Sequence, residues 1–287
     1  MTNKPFKVCV AQIDPVIGDI GKNIEKHLEF IDKAMAGDAS LIVFPELSLT
    51  GYTLMDRAAE IAIEPEDSLL QEIFIRSAYL SIVVGFVEIS DDYFVYNSSM
   101  FIENGSARNV TRKIYPPTYG AFDEKRYFAQ GDRIRSFNSD LGRFGTVICN
   151  DARHPALIYT HAMDGCKFLI IQSAVPARGF PQEDKPLPTK YFETGNIHYA
   201  SVYGMYVIFA NLAGYEDGLL FSGNSMITAP GGKILAQAPL FEEAMIFAEV
   251  SEMEIRKFRQ AVPILGEENL DLVLDELNRI KQHKKSQ

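Results

Sequence analysis

The chain has 287 residues, 47% hydrophobic and 23% charged, which suits one large domain or two ordinary ones and excludes fibrous, collagenous and disordered classes. Its 38 acidic and 28 basic residues leave a formal charge of −10, so nucleic acid and anionic membrane are poor partners, and the basic run Lys281–Lys285 reads as a solvated tail. The N-terminus lacks the apolar core of a signal peptide, no segment reaches bilayer-spanning length, and three cysteines without metal spacing read as reduced thiols, so the expected location is the cytoplasm.

Short apolar runs alternate with amphipathic ones. Strands are expected at Lys7–Ile13 and Leu41–Pro45, with a helix at Ile20–Met35 between them, where Ile24, Leu28, Ile31 and Ala34 recur at helical spacing. A helix at Glu66–Leu80 precedes strands at Ser81–Ile89 and Ser98–Glu103. The strand Gly145–Cys149 leads to a helix at Ala156–Met163 and a strand at Phe168–Gln172. The stretch Pro176–Pro188 is the least regular segment, a candidate lid or specificity loop. A helix at Thr189–Tyr203, strands at Tyr206–Asn211, Ser225–Thr228 and Met245–Val250, and a helix at Asn269–Ile280 follow. This alternation argues an α/β fold, and without a linker or repeat the whole chain, 1–287, reads as one domain whose residues 267–287 form a helix and tail.

Three segments carry polar residues that a scaffold does not require. LIVFPELSLTGY runs four apolar residues into Pro45 and Glu46. TRKIYPPTYGAFDEKRYF sets Arg112 and Lys113 before a proline-rich turn and interleaved aromatics. GRFGTVICNDARHP delivers Cys149 from a strand to a turn before a helix, like the elbow that exposes a nucleophile in α/β-hydrolases. A nearby helix N-terminus favours the thiolate there. Cys9 and Cys166 read as buried core thiols. His154 and His161 offer a weaker Cys–His alternative, and the five scattered histidines show no metal pattern.

Together the three segments resemble the nitrilase superfamily of carbon–nitrogen hydrolases, whose members carry Glu, Lys and Cys in that chain order. The resemblance covers nearly the whole chain, including VIFANLAGYEDGLLFSGNSMITAPGGKILAQAP as late strands and a hairpin. It implies a four-layer α-β-β-α sandwich with two mixed sheets, often paired through helices into a homodimer or higher homo-oligomer. It implies Cys149 as nucleophile, Glu46 as general base and Lys113, with the N–H of Asn150, as oxyanion stabiliser. Glu124 would hold Lys113, although Asp123 is adjacent. No cofactor or metal is implied, and the partner is a small-molecule amide.

Tyr52, Tyr119 and Phe122 are candidate pocket walls; Asn150, Arg153 and Arg178 are candidate substrate contacts. The lysine segment, with tyrosine and then FDEKRYF after Lys113, is similar to glutaminase domains of glutamine-dependent NAD synthetases, yet the chain reads as free-standing. The neutral Asn150 stands where those domains carry an acid, which weakens glutamine itself as substrate. An aliphatic amide, an N-carbamoyl compound, an ω-amidated dicarboxylate or a nitrile remain, beside the reading of a retired fold kept as an interaction module.

Overall fold

The computed structural model describes residues 4–177 and 185–285. The first half runs β1 (Phe6–Gln12), α1 (Ile20–Ala36), β2 (Leu41–Val43), α2 (Gln71–Arg76), β3 (Ser81–Ile89), β4 (Val95–Glu103) and β5 (Ser106–Arg112). Then come β6 (Phe137–Ser139), β7 (Gly142–Ile148), α3 (Pro155–Met163), β8 (Phe168–Ser173), α4 (Leu187–Tyr203) and β9 (Tyr206–Asn211). The chain continues through β10 (Ala213–Glu216), β11 (Leu219–Ser222), β12 (Met226–Thr228), β13 (Ile234–Gln237) and β14 (Ala244–Val250). It finishes with α5 (Glu252–Ala261), α6 (Ile264–Glu267) and α7 (Leu270–Lys285).

Two six-stranded sheets form, in the orders β14-β1-β2-β3-β4-β5 and β13-β12-β9-β8-β7-β6. In each, three central strands are parallel and the flanking pairs antiparallel, so both sheets are mixed. Side-chain alternation explains the layering. In β1, Val8 and Val10 face the core between the sheets, while Cys9 and Ala11 face the helix layer. In β8, Phe168 and Ile170 face the other sheet, while Leu169 and Ile171 face α3 and α4. Strands apolar on both faces need cover on both faces. Helix α1 supplies it for the first sheet with Phe30, Ile31 and Ala34. Helix α4 supplies it for the second with Phe192, Tyr199 and Ala200. The result is the four-layer α-β-β-α sandwich.

Several expected boundaries change. The helix expected at Glu66–Leu80 shrinks to a 3-10 turn at Ser68–Leu70 and α2, because the Ser77 side chain bonds Phe74 O and accepts Gly105 N–H instead of extending the helix. The strand expected through Pro45 ends at Val43, and Cys149 leaves its strand to open a 3-10 turn, Cys149–Arg153. The polar strand β5 and helix α5 have no counterpart in the expected elements.

The strand ends converge. The Gln172 side chain, near the end of β8, donates to Phe44 O at 2.5 Å and Pro45 O at 3.3 Å, beyond the end of β2. The carboxyl ends of parallel strands from both sheets therefore meet at one edge, where open α/β sheets bind ligands.

Candidate active site

Glu46 lies in the tight turn after β2. Leu47 takes φ +48° there, and the turn crosses Gly85 of β3 so closely that a Cβ on Gly85 would lie 2.4 Å from Leu47 N. The glycine is what lets this turn pack flat on the sheet. Glu46 is 1% exposed, and its Oε1 accepts from Asn97 Nδ2 at 2.7 Å and Lys113 Nζ at 2.6 Å. Its other oxygen, Oε2, is buried without a hydrogen-bond partner among the described residues.

Lys113 follows β5. Arg112 turns outward to pair with Glu88, while Lys113 turns inward and is fully buried. Its ammonium also donates to Glu124 Oε1 at 2.7 Å. Burial opposes the lysine charge, but Glu124 and Glu46 outweigh it and hold the pKa above the ordinary lysine range. Glu124, in a short 3-10 turn, is the buried acid; the adjacent Asp123 is exposed. Burial pushes the Glu124 carboxyl up to about 7, with Lys113 opposing and Glu46 reinforcing the shift. Tyr52 OH donates to Glu124 Oε1 at 2.5 Å.

Cys149 adopts φ +48°, left-handed backbone that a non-glycine residue seldom occupies. The strained turn is tied down by Asp151, whose carboxylate accepts the N–H of Ile114 and, at 2.8 Å, of Tyr115. One buried acid thus locks the cysteine turn to the lysine segment. Burial, then Glu46, push the thiol up, with Lys113 and the Ala174 N–H opposing more weakly. Helix α3 starts only at Pro155, too far along the chain to offset this. The net push at Cys149 is therefore away from the thiolate that its turn context suggests.

A cavity of about 190 Å³ opens over Cys149, lined by Tyr119, Phe122, Asn150, Val175 and Phe192, with Arg153 its one charged wall residue among the described residues. That is smaller than the ~300 Å³ at which drug-sized pockets begin, a size that suits a small substrate. Asn150 is engaged on both ends, donating to Tyr115 O at 2.8 Å and accepting from Tyr119 OH at 2.7 Å. Exposed Arg153 donates to Tyr119 OH at 3.2 Å and stands 4.6 Å from the Tyr191 ring centroid. Tyr52 is absent from this cavity's lining and instead lines a neighbouring cavity that shares Phe122. Arg178 lies outside the described residues.

His154 stacks on Tyr115 and His161 bonds Ser136, so both are occupied away from the thiol. Cys9 and Cys166 are fully buried core thiols, each pushed by burial up to about 12. Sequence reasoning missed Asn97, Asp151 and Phe192. Asn97 lies within the strand β4, and nothing in its local pattern marks it as a partner of Glu46.

The carbon–nitrogen hydrolase family model matches residues 7–260. A glutamine-dependent NAD(+) synthetase of Acinetobacter baylyi is 29% identical over 91% of this chain, which spans 47% of that protein. The chain thus covers about half the length of that relative. The crystal structure of Saccharomyces cerevisiae Nit3, a member of the nitrilase superfamily, superposes with TM-score 0.80 at 25% identity, covering 91% of this chain and 95% of that one. A carbon–nitrogen hydrolase from Helicobacter pylori shares the fold with TM-score 0.85 at 24% identity, covering 96% and 99%.

Proposed function

The chain belongs to the carbon–nitrogen hydrolase family of the nitrilase superfamily, and from that premise we propose that it hydrolyses a small carboxamide through a thioester on Cys149. The observation that carries this reading is the fully buried Lys113 ammonium shared by Glu46 and Glu124 beside a strained cysteine. A scaffold has little reason to bury three charges together, because their desolvation costs several kcal/mol per ion.

In this reading Glu46 Oε2, which has no hydrogen-bond partner among the described residues, takes the thiol proton as sulfur attacks the carbonyl carbon. Lys113 and the Asn150 N–H stabilise the oxyanion. Glu46 then gives the proton to the departing nitrogen, the C–N bond breaks and a thioester remains. Water, deprotonated by Glu46, cleaves the C–S bond, releasing the acid and restoring the thiol.

The cavity favours an uncharged or anionic substrate, since Arg153 is its one charged wall residue among the described residues. We favour monoamides of short dicarboxylic acids, whose carboxylate pairs with Arg153 at the pocket. Among the described residues, no acid in the cavity lining would receive the ammonium of glutamine. An ammonia-release screen of propionamide, dicarboxylic monoamides, N-carbamoyl compounds and glutamine tests this. Arg153→Gln should raise KM for the carboxylate-bearing amide roughly tenfold and leave propionamide unchanged. Nitriles use the same nucleophile, so matched amide and nitrile assays decide between those chemistries.

Intact-mass analysis during turnover should find an acyl adduct on Cys149. Glu46→Gln should lower turnover by about a hundredfold or more with the fold intact. Turnover at the wild-type rate by Cys149→Ala would end the proposal.

A further inference from the structure

A further buried carboxylate stands beside the turn that carries Tyr52. Glu216, the last residue of β10, is 3% exposed. No salt bridge to a lysine or arginine is formed by it among the described residues. An unpaired buried acid is costly unless hydrogen bonds hold it. Its Oε2 accepts three: from Tyr52 N at 2.8 Å, Thr53 N at 3.0 Å and Thr53 Oγ1 at 3.2 Å. The chain at Gly51 takes φ +77°, and a Cβ there would lie 2.9 Å from Ile17 Cα and 3.2 Å from Glu216 Oε1. The glycine therefore lets the turn run directly against the carboxylate.

The same hairpin also holds the Tyr52 ring. Phe221, on β11, meets it edge-on at 5.7 Å. On the other side Phe122 meets the ring at 6.4 Å. Backbone and ring are thus both fixed, and the hydroxyl is delivered to Glu124 Oε1, the atom that also accepts from Lys113.

We propose that Glu216 is a positioning residue for the amide chemistry: it fixes the Gly51–Thr53 turn so that Tyr52 holds Glu124, and through Glu124 the Lys113 ammonium, in the reacting geometry. This rests on the reading of Cys149 as nucleophile. Four groups bear on Glu124: Lys113, Glu46 and Tyr52 in the causes of its shifted acidity, and Cys149 across the shared lysine. The Tyr52 hydroxyl favours the ionised form of Glu124, so its loss moves ionisation to higher pH.

The test uses the full chain and compares Glu216→Ala, Glu216→Gln, Tyr52→Phe and the double variant Tyr52→Phe/Glu216→Ala. Initial rates are followed against pH on the carboxamide found by the ammonia screen. Iodoacetamide alkylation of Cys149, read by peptide mass, gives a second pH profile that needs no substrate. Glu216→Ala should lower kcat about tenfold to a hundredfold with KM within about twofold, because a misplaced cluster affects the reacting step most. Its acid limb should move to higher pH, and Tyr52→Phe should move it the same way. In the Tyr52→Phe background, Glu216→Ala should add less than about twofold, since the two act through one contact. Glu216→Gln, which keeps an oxygen acceptor for both N–H groups, should recover most of the rate.

A Glu216→Ala protein with a lower Tm but wild-type kcat and pH profile overturns the proposal, leaving Glu216 a turn cap only. Effects that multiply in the double variant overturn it too. If Glu216→Ala does not fold, Glu216→Asp, which withdraws the carboxylate by one methylene, replaces it in the cycle with the same expectations. Retained turnover in Cys149→Ala would instead remove the thioester reading, so the two failures are distinct.

Discussion

The charges around Cys149 are set by burial acting on groups a few ångströms apart. Lys113 keeps its proton because two carboxylates share it, whereas Glu124 gives up part of its acidity to the same burial. Its carboxyl, raised to about 7, is protonated below that pH and ionised above it. If catalysis needs the ionised form to hold Lys113, kcat/KM should rise tenfold per pH unit below about 7 and level off above it. Glu124→Gln should remove that limb and lower the plateau, since the amide carries no charge to hold the ammonium. A wild-type profile flat from pH 5.5 to 8 (roughly the ordinary carboxylate-to-neutral span) would remove Glu124 from this role. At this scale the sequence is most legible where a functional residue ends a strand. Glu46 and Cys149 each follow an apolar run, Lys113 is marked instead by the proline-rich aromatic stretch after it, and the three segments are recognisable together. Asn97 and Glu216 are not, because their contacts span 51 and 164 residues of chain and leave no local pattern.

At the scale of elements, legibility followed burial. Strands apolar on both faces, such as β3 and β9, matched their expected bounds, because a run like YVIFAN has few other stable environments. The edge strand β5 failed the same test, although the edge strand β14 fell within one residue of its expected bounds. SARNVTR in β5 is half-exposed and polar, so its pairing with β4 decides its conformation rather than its own pattern. The strand nevertheless matters most, since it delivers Lys113. The turn after β2 makes the dependence on packing measurable. A Cβ at Gly85 would meet Leu47 N at 2.4 Å and Pro45 O at 2.5 Å, both backbone atoms that cannot swing aside. Gly85→Ala should therefore lift the Glu46 turn, cost about 1–3 kcal/mol in stability and cut turnover sharply. Gly266→Ala, where nothing lies within 4 Å of the added carbon, is the neutral control. Thermal midpoint and ammonia release on both variants check this; wild-type turnover in Gly85→Ala would mean that the turn tolerates displacement.

For the whole molecule, the helix at the C-terminal end stands apart from the sandwich. None of the residues in α7 is buried, and Leu270, Leu274, Leu277 and Ile280 are all exposed at helical spacing. A lone helix of 16 residues is marginal in water, and its apolar stripe is as unfavourable exposed as it would be favourable covered. The sequence alone left two ways to cover it, packing on its own domain or pairing with a second copy. With no α7 residue buried, the first receives no support. We propose that α7 pairs two copies of this chain. The spacing of Leu270, Leu274, Leu277 and Ile280 suits a helix–helix seam, where four such side chains stabilise association by burial from both partners. Sedimentation should give a dimer or a larger even-numbered assembly at micromolar concentration. Replacing Leu274 and Leu277 together by Glu puts like charges across the seam and should yield monomers. Turnover at Cys149 should survive in those monomers, because no α7 residue lines the cavity over it. A wild-type protein that sediments as a monomer, or a double variant that stays assembled, would place the contact elsewhere.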